Sequence, residues 1–208
     1  MENRWETTRT EAFSDGVFAI AITLLVLDLS VPLRDFDNLW RGIVHQWPSY
    51  LGFATSFITI GGVWLAHHGV FRRLRYADNA VMRLNLLLLM AVSFLPFPTK
   101  LVAEAVREPD AERVAVIFYG VSLLTIQVLF SVLWGTVARN RELLRPEVTE
   151  QEIEAIVLAA APNIGLFVGI TALAVVAPRA AAIGYLVIAV ISVLRVRGDE
   201  PSQTAQPA

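Results

Sequence analysis

Long apolar runs alternate with short polar connections along the whole chain. A helix needs about 20 mostly apolar residues to cross the hydrocarbon of a bilayer, and such runs predict six helices, at residues 13–31, 48–71, 81–99, 114–137, 153–176 and 180–196. Pro32 stops the first, and Pro96 and Pro98 lie near the end of the third. Pro162 interrupts the fifth, and Ala177-Pro178-Arg179 folds the fifth and sixth into a tight hairpin. The pattern predicts an all-α integral membrane domain over residues 1–198, followed by a polar, proline-containing tail at 199–208 that reads as disordered.

Composition sharpens this picture. Charged residues make up 17% of the 208 positions and apolar ones 55%, where soluble domains carry about a quarter charged. A formal charge of −2 offers no basic footprint for nucleic acid. The absence of cysteine excludes disulfides, thiol catalysis and cysteine-ligated metal. Glu2, Glu6, Glu11 and Asp15 precede the uninterrupted apolar stretch that starts near residue 17, and Asp28-Leu29-Ser30-Val31-Pro32 ends it. That is neither the basic leader nor the small-residue cleavage site of a signal peptide, so the run reads as a retained helix.

Basic residues gather on cytoplasmic loops. With the N-terminus inside, the inner segments hold Arg4 and Arg9, then Arg72, Arg73, Arg75 and Arg83, then Arg139, Arg141 and Arg145, then Arg195 and Arg197. The outer segments hold the smaller group: Arg34, Arg41, Lys100, Arg107, Arg113 and Arg179. This asymmetry predicts a multi-pass protein of the cell's inner (plasma) membrane with both termini cytoplasmic. Trp40, Trp47 and Tyr50 suit an aromatic belt at the outer surface.

An ionisable side chain at membrane depth costs about 2.5–3.5 kcal/mol on insertion scales, so the polar residues within these runs carry information. Asp15, His67, His68 and Asn85 fall near the inner ends of their helices, with Arg9 on the same side. Asn163 lies in the fifth run. One reading is a structural network joining helices; another is a proton relay. A metal centre is not expected: adjacent histidines diverge by about 100° on a helix, and His-Glu-x-x-His is missing. No serine, metal or cofactor motif predicts an enzyme. With Ile20 set at zero, Leu24 falls at about 40°, Leu27 at about −20° and Thr23 at about −60°, while Asp15 falls at about 220°. The apolar face is suited to meet lipid or protein core, and the angles alone do not decide its role. Gly61-Gly62 and the Gly165-x-x-x-Gly169 pair permit close helix approach.

Three stretches resemble one family. Arg9-x-x-x-Phe13-Ser14-Asp15, running on through Gly16-Val17-Phe18-Ala19-Ile20-Ala21-Ile22-Thr23-Leu24-Leu25-Val26-Leu27, is similar to the signature of the transmembrane protein 175 family of potassium channels in its prokaryotic form. Trp64-Leu65-Ala66-His67-His68 with Phe71 resembles the family's second helix, and Asn85-Leu86 through Phe94-Leu95-Pro96-Phe97-Pro98-Thr99 resembles its third.

The resemblance implies a homotetramer of six-helix subunits whose first helix lines a central pore. It places hydrophobic constriction rings at Ile20, Leu24 and Leu27, an ion-contacting hydroxyl at Thr23, and a structural network at Arg9, Ser14, Asp15, His67, His68 and Asn85. The implied function is a potassium-permeable channel, weakly selective over sodium, with no cofactor beyond the permeant ion. Its partners would be its own copies, the bilayer and monovalent cations. The alternative is a proton-conducting or proton-coupled transporter built on Asp15, His67 and His68.

Overall fold

The computed structural model describes residues 5–106 and 108–196, apart from the side chains at 34–35, 155–163 and 195–196. The expected tail at 199–208 and the side chain of Asn163 lie outside the described residues. The chain is mostly helical. Its elements are α1 (Thr7–Leu24), α2 (Leu39–His45), α3 (Trp47–Arg73), α4 (Asn79–Phe94), α5 (Pro96–Ala105), α6 (Pro109–Arg139), α7 (Glu150–Leu173) and α8 (Pro178–Val196). Among the described residues, four segments are long and apolar enough to cross a membrane: Thr7–Asp28, Trp47–Arg73, Asn79–Ala105 and Pro109–Arg139. Ile164–Leu173 within α7 and Pro178–Leu194 within α8 are shorter apolar stretches among the described residues.

Local chemistry explains the boundaries. Asp78 accepts a hydrogen bond from the Val81 amide at 2.8 Å and caps α4. Thr149 and Glu152 form a reciprocal capping box at the start of α7. Prolines occupy the first turns of α3, α5 and α6, where their missing N–H costs nothing. The third predicted helix is divided at Leu95, because Pro96 and Pro98 withdraw two amide donors and crowd the preceding turn. Thr99 repairs part of the loss: its amide and hydroxyl both donate to the Leu95 carbonyl, at 3.2 and 2.8 Å.

Four features depart from the sequence expectation. The first helix keeps α-geometry only to Leu24 and tightens into a 3₁₀ turn over Leu25–Asp28, short of residue 31. Pro32 disfavours helical backbone in the residue before it. The first connection is not a plain loop; a 3₁₀ turn over Leu33–Asn38 leads into α2, capped by Asn38. The backbone of α7 stays helical through position 162. Gly165 and Gly169 face open space within the subunit, whereas Gly62 meets Val193 on α8.

α1 packs on α3 and α4; α6 packs on α4, α5, α7 and α8; and α3 also meets α5 and α8. The shared core includes Phe18, Ile60, Phe71, Leu88, Leu133, Trp134 and Tyr185, all essentially inaccessible. At the end where α1 begins, two isolated backbone bridges, Trp5 with Ala77 and Leu74 with Leu144, tie the connections together.

Candidate functional site

α1 is apolar on both faces, and only one is covered. Phe18, Ala21 and Leu25 are each 1% exposed in the subunit's core, while Ile20, Leu24 and Leu27 are 61%, 41% and 72% exposed. The 3₁₀ turn matters here. Side chains three apart eclipse one another at three residues per turn, so Leu27 stacks over Leu24 instead of rotating past it. Thr23 shares the exposed face. Its hydroxyl donates to the Ile20 carbonyl at 2.9 Å, which spends the proton on the helix and leaves the oxygen's lone pairs outward.

The polar residues on the covered side fall into two sets. In the buried set, Asn85 Nδ2 donates to Ser14 Oγ at 3.0 Å, and Asn85 Oδ1 lies 2.8 Å from His67 Nε2. That joins α1, α4 and α3. Ser14 passes its own proton to the Thr10 carbonyl at 2.8 Å. His67 is fully buried, stacked on Phe71 at 4.3 Å and tilted against Phe18 at 5.3 Å. Its Nδ1 has no hydrogen-bond partner.

The second set is a ladder between α1 and α3. Trp64 Nε1 donates to Asp15 Oδ1 at 2.8 Å, and one turn away His68 Nδ1 approaches Glu11 Oε1 at 2.9 Å. The His68 contact is off the angle of a hydrogen bond, and it becomes an ion pair when the imidazole carries its second proton. The structure thus brings Ser14, His67 and Asn85 together and hands Asp15 and His68 to different partners. Arg9 stands apart, exposed and without a polar contact to any described residue. Among the described residues no cluster suited to a metal ion occurs.

Sequence reasoning left out Glu11 and Trp64 as partners. A signal was available: Glu11 and Asp15 are four apart on one helix, Trp64 and His68 four apart on the other, and such residues share a face. A second polar group also escaped it. Ser56 lies 2.7 Å from Thr99 Oγ1 and 3.0 Å from the Tyr119 hydroxyl, knitting α3, α5 and α6. At the far end of α1, Lys100 Nζ lies 3.7 Å from Asp28 Oδ1.

Comparison with known proteins agrees with this architecture. The family model described as "Endosomal/lysosomal potassium channel TMEM175" matches residues 9–96, the segment that holds the α1 face and both polar sets. A potassium channel of Streptomyces collinus is 46% identical over 144 residues, covering 69% of this chain and 70% of that one. The endosomal/lysosomal proton channel TMEM175 of Danio rerio is 35% identical over 150 residues, covering 67% of this chain and 29% of that one. The crystal structure of a lysosomal potassium-selective channel TMEM175 homolog from Chamaesiphon minutus superimposes with a TM-score of 0.82 at 39% identity, covering 91% of this chain and 97% of that one. An integral membrane protein, this chain belongs to the TMEM175 family of ion channels.

Proposed function

We propose that the chain is one subunit of a potassium-permeable cation channel in which four copies set α1 around a central pore. The observation that carries this reading is the uncovered apolar face of α1, with Ile20, Leu24 and Leu27 turned away from the subunit's own core. In a fourfold assembly these side chains form stacked rings. A narrow aliphatic ring excludes hydrated ions and gates by dewetting. The Thr23 oxygens line the same face and supply a ring of acceptors for a partly dehydrated cation. A flexible hydrocarbon ring does not hold ions in a rigid cage of oxygens, which suits weak preference for potassium over sodium. The subunit carries six membrane helices with both termini on the cytoplasmic side of the inner membrane. Ser14, Asp15, His67, His68 and Asn85 serve structure, bracing α1 against α3 and α4, and no resident cofactor takes part.

The test is potassium flux into liposomes holding the purified protein. Asparagine at Ile20, Leu24 or Leu27 is expected to change the flux. If all three variants conduct like the parent, α1 does not line the pore. A bi-ionic reversal potential measures the potassium preference; no shift on replacing potassium with sodium removes the selectivity claim.

Proton conduction is a second reading, favoured by the Danio rerio relative being named a proton channel. Asp15→Asn separates the two. The amide oxygen still accepts from Trp64, so the fold is expected to persist with potassium flux intact. Selective loss of proton flux in the assembled variant supports a relay through Asp15.

A further inference from the structure

At the end of the bundle where α1 finishes, α3, α5, α6 and α8 enclose a cavity of about 380 Å³. Its size falls within the range of small-molecule sites. The walls are mostly hydrocarbon, including Leu51, Val116 and Ile183. The mouth is charged. Glu112 is buried, with its side chain 6% exposed, and accepts from Arg179 Nε at 3.1 Å. Arg179 remains 74% exposed, so its two terminal nitrogens point onward. A neighbouring hollow shares Glu112 and Arg179 and adds exposed Arg113. Arg179 is paired with Glu112, and Arg113 joins them in the lining of the hollow, so the charged side chains that line cavity and hollow are two arginines and one carboxylate.

We propose that this cavity takes one acyl chain of an anionic phospholipid, with the headgroup phosphate on Arg113 and Arg179. Each part of the site selects a part of that ligand. The hydrocarbon walls lie within membrane-spanning segments, where acyl chains are the abundant apolar species. The arginines stand near the starts of α6 and α8, at the end of the bundle where headgroups lie. Guanidinium groups bind phosphate through paired N–H donors. Glu112 holds Arg179 over the opening in advance. An uncharged lipid leaves the arginines unused, and free phosphate leaves the cavity unfilled. The proposal does not depend on which face of α1 lines a pore.

Native mass spectrometry of the full-length protein tests it, with dioleoyl phosphatidylglycerol, dioleoylglycerol and inorganic phosphate as separate probes. The parent is expected to retain phosphatidylglycerol about tenfold better than dioleoylglycerol, the scale of a charge-assisted hydrogen bond. Arg113→Gln, which leaves the Glu112–Arg179 pair intact, should erode that preference. Ala182→Phe, which fills the cavity, should reduce retention of both lipids. Ala103→Leu repeats that arm should Ala182→Phe fail to fold. Undiminished phosphatidylglycerol retention in the filled variants overturns the site. Equal retention of dioleoylglycerol overturns the headgroup assignment, and displacement of the lipid by phosphate alone overturns the acyl chain's part.

Discussion

Asn85 on α4 donates through Nδ2 to Ser14 Oγ on α1 at 3.0 Å, in a site where both side chains are sealed from solvent. Its other amide atom meets His67 on α3 at 2.8 Å. One side chain therefore satisfies two helices at once. Replacing it by leucine of similar volume leaves Ser14 Oγ without its donor and His67 Nε2 without a partner, at about 1–3 kcal/mol for each orphaned group. Asn85→Leu is expected to lower the thermal unfolding midpoint in detergent clearly. An unchanged midpoint means that the network contributes nothing to stability.

The two faces of α1 predict opposite behaviour for neighbouring truncations. Phe18 is buried against His67 and the core, so Phe18→Ala should cost about 3–5 kcal/mol. Ile20 is outward, so Ile20→Ala should stay within about 0.5 kcal/mol while altering ion flux. Denaturation alongside liposome flux reads both. A strongly destabilised Ile20→Ala protein with normal flux would reverse the assignment of the faces.

Gly120 on α6 lies directly under the hydroxyl of Tyr185 on α8, and a methyl group there would also come within 2.8 Å of Thr171 Oγ1. The Thr171–Tyr185 contact at 2.9 Å joins α7 to α8. Gly120→Ala must push the ring aside and break that bond. Despite alanine's better helix propensity, a loss of about 1–3 kcal/mol is expected, measured as the melting shift. A stabilised variant would show that Tyr185 has room to move.

The Asp28–Lys100 pair, 3.7 Å apart and partly exposed, sits just beyond Leu27. In the proposed assembly Asp28 lies at the mouth of the pore, and Lys100 offsets its charge. Lys100→Gln should raise potassium conductance at low ionic strength by restoring negative potential. The gain should fade towards 1 M salt, where screening reaches about 3 Å. A conductance equal to the parent's at both salt levels separates this pair from the ion path.

The apolar runs alone determined most of the architecture. Backbone polar groups must be satisfied within each segment in hydrocarbon, so a run of sufficient length and apolarity is a helix before its neighbours are known. Pro96 and Pro98 announced a disturbance of the third helix for a similarly local reason, and the structure shows a division at Leu95. Pro162 gave the same local signal, yet α7 stays helical through it, because neighbours decide whether a proline breaks a helix or is absorbed. The motif around Ser14 and Asp15 identified the family, since it is a string of particular residues at fixed spacing.

Pairing was decided only by tertiary structure. Asp15, His67, His68 and Asn85 sit at one depth by sequence, and depth does not say which atoms meet. The packing of α1 on α3 and α4 put Asn85 between Ser14 and His67, and left Trp64 and Glu11 for the other two. Nor could periodicity choose the covered side of α1, because both sides are hydrocarbon and burial depends on where neighbouring helices lie. The 3₁₀ turn that aligns Leu27 with Leu24 has the same origin: it rests on how the chain leaves the helix towards Pro32, whereas a constant period assumes that it does not change.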